Sequence, residues 1–121
     1  MTLKEFYNEI NGSYEEVLGR LMNDKRIYKY LFKFPASDDY KCFKEALAEE
    51  KWEEAFRFSH NLKGVCLNLG LGDLTTAAVD VCESLRKGKP EIDISGMLEL
   101  LAEKYDEIVT KIGELDENAA G

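Results

Sequence analysis

Histidine is all but missing from this chain. Of 121 residues one, His60, carries an imidazole. A lone histidine cannot complete a Cys/His metal site, and the three cysteines, Cys42, Cys66 and Cys82, form no CxxC pair. Their odd number and scattered positions offer no disulfide framework and suit reduced thiols packed as small apolar fillers. Proline occurs only twice, and neither an internal repeat nor a low-complexity linker interrupts the chain, which sets it apart from disordered and fibrous proteins. No apolar run approaches membrane-spanning length, and the opening Met1-Thr2-Leu3-Lys4-Glu5-Phe6 mixes charge with apolar residues, unlike a signal peptide. Period-two alternation is missing as well, so nothing favours a sheet. Positive charge is scarce, with 16 Lys and Arg against 24 Asp and Glu and a formal net charge of −8. Nucleic acid and anionic membrane surfaces would repel such a chain, and a protein partner with basic edges is expected instead. These absences together read as a cytoplasmic protein, and a monomer is expected.

What is present is a series of amphipathic runs closed by capping residues, which predicts an all-α protein with a single domain over residues 1–115 and a flexible tail over 116–121. Leu3 to Ile10 forms a short opening helix stopped by Asn11-Gly12. Ser13 with Glu16 offers a capping box for a helix through Leu21. Asp24 caps a helix carrying Ile27, Tyr28, Leu31 and Phe32 that ends before Pro35. Asp38 or Asp39 starts the next, with Tyr40, Phe43 and Leu47 on one face. A long helix runs from about Lys51 to Leu69, with Gly70 and Gly72 marking its end. Leu74, Ala78, Val81 and Leu85 then lie at helical spacing in a helix expected from Leu74 to Lys87. The last helix spans Ser95 to Ile112, and its stripe of Met97, Leu98, Leu101, Tyr105, Ile108, Val109 and Ile112 suits antiparallel bundle packing.

The long central helix separates into two faces. At about 100° per residue, Ala55, Phe58, Ser59, Leu62, Val65, Cys66 and Leu69 share an arc about 120° wide, as a core-facing stripe does. His60 falls roughly 160° from the centre of that arc, with Phe56, Lys63, Gly64, Leu67 and Leu71 around it and Arg57 nearby. His60 is therefore expected in solvent. Phe56, Leu67 and Leu71 would put apolar surface where the bundle does not need it, as a docking face does. Gly64 costs about 1 kcal/mol relative to alanine inside a helix and removes side-chain bulk one turn from the imidazole. Lys63, three residues on, can reach a group attached to the ring, and a cation there stabilises an anion. A free imidazole is mostly neutral at neutral pH and offers a ring-nitrogen lone pair as a nucleophile.

The segment His60-Asn61-Leu62-Lys63-Gly64, followed by Asn68-Leu69-Gly70, resembles the His-x-Leu-Lys-Gly signature and trailing Leu-Gly of the histidine-containing phosphotransfer (Hpt) family. The order of helices is similar too: Asp24 to Phe34, a break at Pro35 to Asp39, a helix ending at Trp52, and Leu74 to Gly88. Ser59 and Val65-Cys66 stand where the family often has small alanines, away from the reactive face. The resemblance implies an antiparallel four-helix bundle with a short additional N-terminal helical segment. It implies that His60 accepts a phosphoryl group from a receiver-domain aspartate and passes it to another receiver. Lys63 would contact the phosphoryl group, Gly64 would admit the receiver, and Phe56, Arg57, Leu67 and Leu71 would be receiver contacts.

Phosphoryl transfer needs an in-line nucleophile and neutralisation of oxygen charge, commonly by Mg²⁺. With no Walker loop, no nucleotide-binding glycine pattern and no acidic metal cage, the chain is expected to bind no cofactor or metal itself. Mg²⁺ and the phospho-aspartate are expected from receiver domains of a response regulator and a hybrid histidine kinase. The chain is thus expected to be a carrier and not an enzyme. As an autonomous catalyst it would need a group to orient His60; Glu53 and Glu54 lie too far down the helix and Asn61 turns away. Two further readings are a phosphoacceptor module of a larger sensor or chemotaxis-type histidine kinase, and an adaptor that binds a receiver without being phosphorylated.

Overall fold

In a computed structural model residues 1–116 are described; the tail expected over 116–121 lies outside them except for Asp116. The described residues form seven α-helices, a 3-10 turn and no strand. They are α1 (Leu3–Glu9), α2 (Tyr14–Leu21), α3 (Asp24–Lys33), the 3-10 turn (Phe34–Ala36), α4 (Asp39–Ala48), α5 (Trp52–Leu69), α6 (Asp73–Ser84) and α7 (Ser95–Gly113). The fold is all-α, as the periodicity predicts. Helix α4 packs on α5, α5 on α6 and α6 on α7. Tyr105 of α7 stacks on Tyr40 of α4, with ring centroids 4.1 Å apart, and closes the four into a bundle.

The stripes foreseen on α6 and α7 are those that pack. Leu74, Ala78, Val81 and Leu85 are buried, and Leu101, Ile108 and Ile112 carry the buried face of α7. Three helix ends differ from expectation. The cap of α3 is Asn23, whose side chain accepts from the Arg26 amide; Asp24 sits inside the helix and accepts from the Tyr14 hydroxyl. Helix α4 stops at Ala48, short of Trp52, because Glu50 takes a left-handed φ of 55°. The amides of Glu50 and Lys51 then turn back to the carbonyls of Leu47 and Ala46. Helix α6 stops at Ser84 and not at Lys87, because the amides of Leu85, Arg86 and Gly88 each bond three residues back and tighten the chain into successive turns.

The C-terminal end of α5 is sealed by its neighbours. A helix leaves its last four carbonyls unpaired, and here each finds a donor. The Leu71 amide and the Thr75 hydroxyl donate to Cys66, and Gly70, at φ 59°, closes the turn by donating to Leu67. From α2, Arg20 donates to the carbonyls of Leu67 and Asn68 at 3.1 and 3.2 Å. From α1, the buried Tyr7 hydroxyl donates to Leu69 at 2.8 Å. The connection into α6 passes directly beneath α1: Gly72, at φ 54°, lies so close to the Ile10 carbonyl that no side chain fits, and the Asp73 amide donates to that carbonyl.

Candidate functional site

His60 lies midway along α5 with its side chain in solvent, opposite a buried row of Ala55, Ser59, Leu62, Cys66 and Leu69. Ser59 is the buried polar residue of this row and donates its hydroxyl proton to the Phe56 carbonyl. Burial pushes the Cys66 thiol up to about 12, which suits an inert filler. Phe58 is half-buried, with the Arg57 guanidinium over its ring, and Arg57 itself is exposed.

Two residues are not where the wheel puts them. Leu71, expected on the exposed rim, is fully buried and unavailable as a receiver contact. The helical period ends at Leu69, and the left-handed Gly70 turns the next side chain inward. Val65, expected in the core, is 37% exposed, at the open edge of the arc and facing the gap between α5 and α3. Leu67 is half-exposed as expected. Phe56 is half-buried against the core, and its ring centroid lies 5.9 Å from that of His60.

Around Gly64 there is open space: a Cβ placed there meets no atom within 4 Å apart from the helix itself. No close packing inside the molecule accounts for a glycine at this position. Beside it runs a groove of about 660 Å³. His60, Asn61, Gly64, Val65 and Asn68 form one wall, and Tyr30 and Lys33 of α3 with Phe34 of the 3-10 turn face them. Tyr30 is 41% exposed although its helix buries Ile27, Tyr28 and Leu31, so this wall presents an aromatic ring off the core stripe.

On the other side of His60 stands a charged cluster. The Lys63 side chain is only 18% exposed, lying along the α5–α6 interface with Nζ 4.0 Å from Glu83 Oε1. Arg86 holds the same carboxylate in a fork, Nη2 to Oε1 at 2.6 Å and Nε to Oε2 at 2.9 Å. Hydrogen bonds from Arg86, with the charges of Arg86, Lys63 and His60, hold the Glu83 carboxyl below its usual range. A carboxylate on the neighbouring helix thus engages Lys63, one turn along from the histidine, where spacing along α5 cannot reveal it. Tyr30, Val65, Glu83 and Arg86 were all missed by sequence reasoning; an aromatic off the apolar stripe of α3 was the one signal available for Tyr30.

The arrangement offers a solvent-facing nucleophile, a cation one turn on, clear approach past Gly64 and an apolar groove alongside. No group of three or more His, Cys, Asp or Glu side chains among the described residues is placed to hold a metal. No helix of the described residues is long and apolar enough to cross a membrane. The chain matches no curated protein and no solved structure at a significant level. A protein-family model, the Hpt domain, matches residues 31–113, from the end of α3 through α7. The chain therefore belongs to the Hpt domain family, the helical phosphocarrier modules of two-component signalling.

Proposed function

We propose that this chain is a phosphorelay intermediate that takes a phosphoryl group onto His60 from an aspartyl phosphate on one receiver domain and passes it to an aspartate on another. A ring nitrogen of the neutral imidazole attacks phosphorus with its lone pair, the N–P bond forms, and the P–O bond to the aspartate breaks. The carboxylate leaves with that electron pair, and the surplus ring proton goes to solvent. The receiver supplies Mg²⁺ and the acyl phosphate; this chain supplies the nucleophile, Lys63 beside it and the space over Gly64. Val65 and Tyr30 in the groove, with Leu67, Phe56 and Arg57, form the surface on which the receivers dock. The donor is a hybrid histidine kinase and the acceptor a response regulator, and the setting is the cytoplasm, with the carrier acting as a monomer.

The observation that carries this reading is the open space at Gly64 beside a solvent-facing His60, a helix-weakening glycine with no close packing partner inside the molecule. Incubation with a phosphorylated receiver should transfer acid-labile, alkali-stable phosphate to the protein. His60→Gln should abolish the transfer without altering helical circular dichroism, and label retained by that variant sinks the proposal. Lys63→Ala should slow transfer about 10-fold, the loss of one charge-assisted contact, while the histidine stays reactive.

A further inference from the structure

Two cations, one on α5 and one just past the end of α6, converge on Glu83. Lys63 of α5 reaches its Oε1 at 4.0 Å, and Arg86, just past α6, grips both oxygens at 2.6 and 2.9 Å. The Arg86 guanidinium also lies 5.4 Å from the centroid of the Phe56 ring, which in turn stands 5.9 Å from His60. Arg86 is thus held one ring away from the imidazole, with its planar fork occupied by a carboxylate. A guanidinium fork matches phosphate oxygens as well as it matches a carboxylate, and a phosphoryl group offers a larger charge and three acceptor oxygens. Glu83 is half-exposed, so water can take over its hydration once the fork lets go.

We propose that Glu83 is a positioning residue that holds Lys63 and Arg86 beside His60 while the imidazole is bare, and yields both cations to the phosphoryl group once His60 carries it. The proposal rests on the reading of His60 as a phosphoryl carrier, and it adds a second phosphoryl-binding cation, Arg86, from outside the His60–Gly64 segment. Glu83 keeps two like charges from repelling each other in the bare protein and keeps them from straying. After phosphorylation its negative charge opposes the modified state, so it tunes how readily the group is passed on.

Phosphoramidate tests this without any partner. The N–P bond to His60 forms as the P–N bond of phosphoramidate breaks, and ammonia leaves as ammonium with the proton released by the ring. Phosphorus-31 NMR at fixed phosphoramidate and ammonium concentrations gives the ratio of phosphorylated to bare His60. Glu83→Gln should raise that ratio about fivefold and Arg86→Gln should lower it about fivefold, the scale of one exposed charge contact. In the Arg86→Gln background the effect of Glu83→Gln should shrink to less than about twofold, a coupling that a merely structural role would not produce. In the unsubstituted protein the Arg86 Nε–H resonance should move on phosphorylation. A ratio unchanged or lowered by Glu83→Gln, or a stationary Arg86 resonance in fully phosphorylated protein, overturns the proposal. Failure of the unsubstituted protein to take any label overturns the carrier reading, and the proposal with it.

Discussion

At the scale of the residue, Tyr7 shows how one atom far from His60 in sequence supports the helix that carries it. Its hydroxyl is the donor to the Leu69 carbonyl at 2.8 Å, in a buried setting that water does not reach. Tyr7→Phe keeps the ring and strands that carbonyl, so a urea titration should show a loss of about 1–3 kcal/mol. Burial raises the Tyr7 phenol well above its ordinary range, against the smaller opposing charge of Arg20. A raised folded-state value means that the stabilisation is complete below the unfolded value of about 10 and is lost as pH climbs beyond it. The stability of Tyr7→Phe should accordingly fall less steeply than that of the parent above about pH 10. Residue-scale legibility was good wherever the helix was regular: the wheel set His60, Lys63 and the Ala55–Leu69 row correctly. It failed at Leu71, where the helix had already ended, and at Val65, which sits at the arc's edge and depends on how closely α3 approaches.

Among the elements, α5 combines a well-packed inner face with a deliberately thin outer one. Because a Cβ at Gly64 would meet no atom within 4 Å beyond the helix, Gly64→Ala fits without strain and should stabilise the protein by about 0.5–1 kcal/mol through helix propensity. The same methyl group intrudes on the path to His60, so phosphotransfer from a receiver should slow while melting temperature rises. A variant that is both more stable and equally fast would show that the glycine serves no partner. Element positions were legible because apolar periodicity and caps agreed along the chain, but two boundaries were not. Glu50 adopts the left-handed conformation that ends α4 although glycine is the usual residue for it, and α6 tightens into turns while its apolar pattern runs on to Leu85. Neither event leaves a mark in the choice of residues.

For the whole molecule, what the sequence concealed was tertiary: Arg20 on the α5 terminus and Glu83 against Lys63 join residues 48 and 20 positions apart, and no local pattern announces them. The N-terminal helices are tied down at several further points, Lys111 to Glu9 at 3.2 Å and Asn11 to Asp73 at 2.8 Å among them. Gly72→Ala should therefore be severely destabilising, since a side chain there collides with the Ile10 carbonyl and demands an unfavourable φ; thermal melting should show a loss of roughly 10 °C or more. The family match begins at residue 31, inside α3, and leaves all of α1 and α2 outside it. Yet those two helices provide the donors for three of the last four carbonyls of the helix bearing His60. The smallest portion that could be grafted onto another protein is consequently larger than the family signature: a transplant cut at residue 31 would carry His60 on a helix whose Asn68 and Leu69 carbonyls have lost their donors.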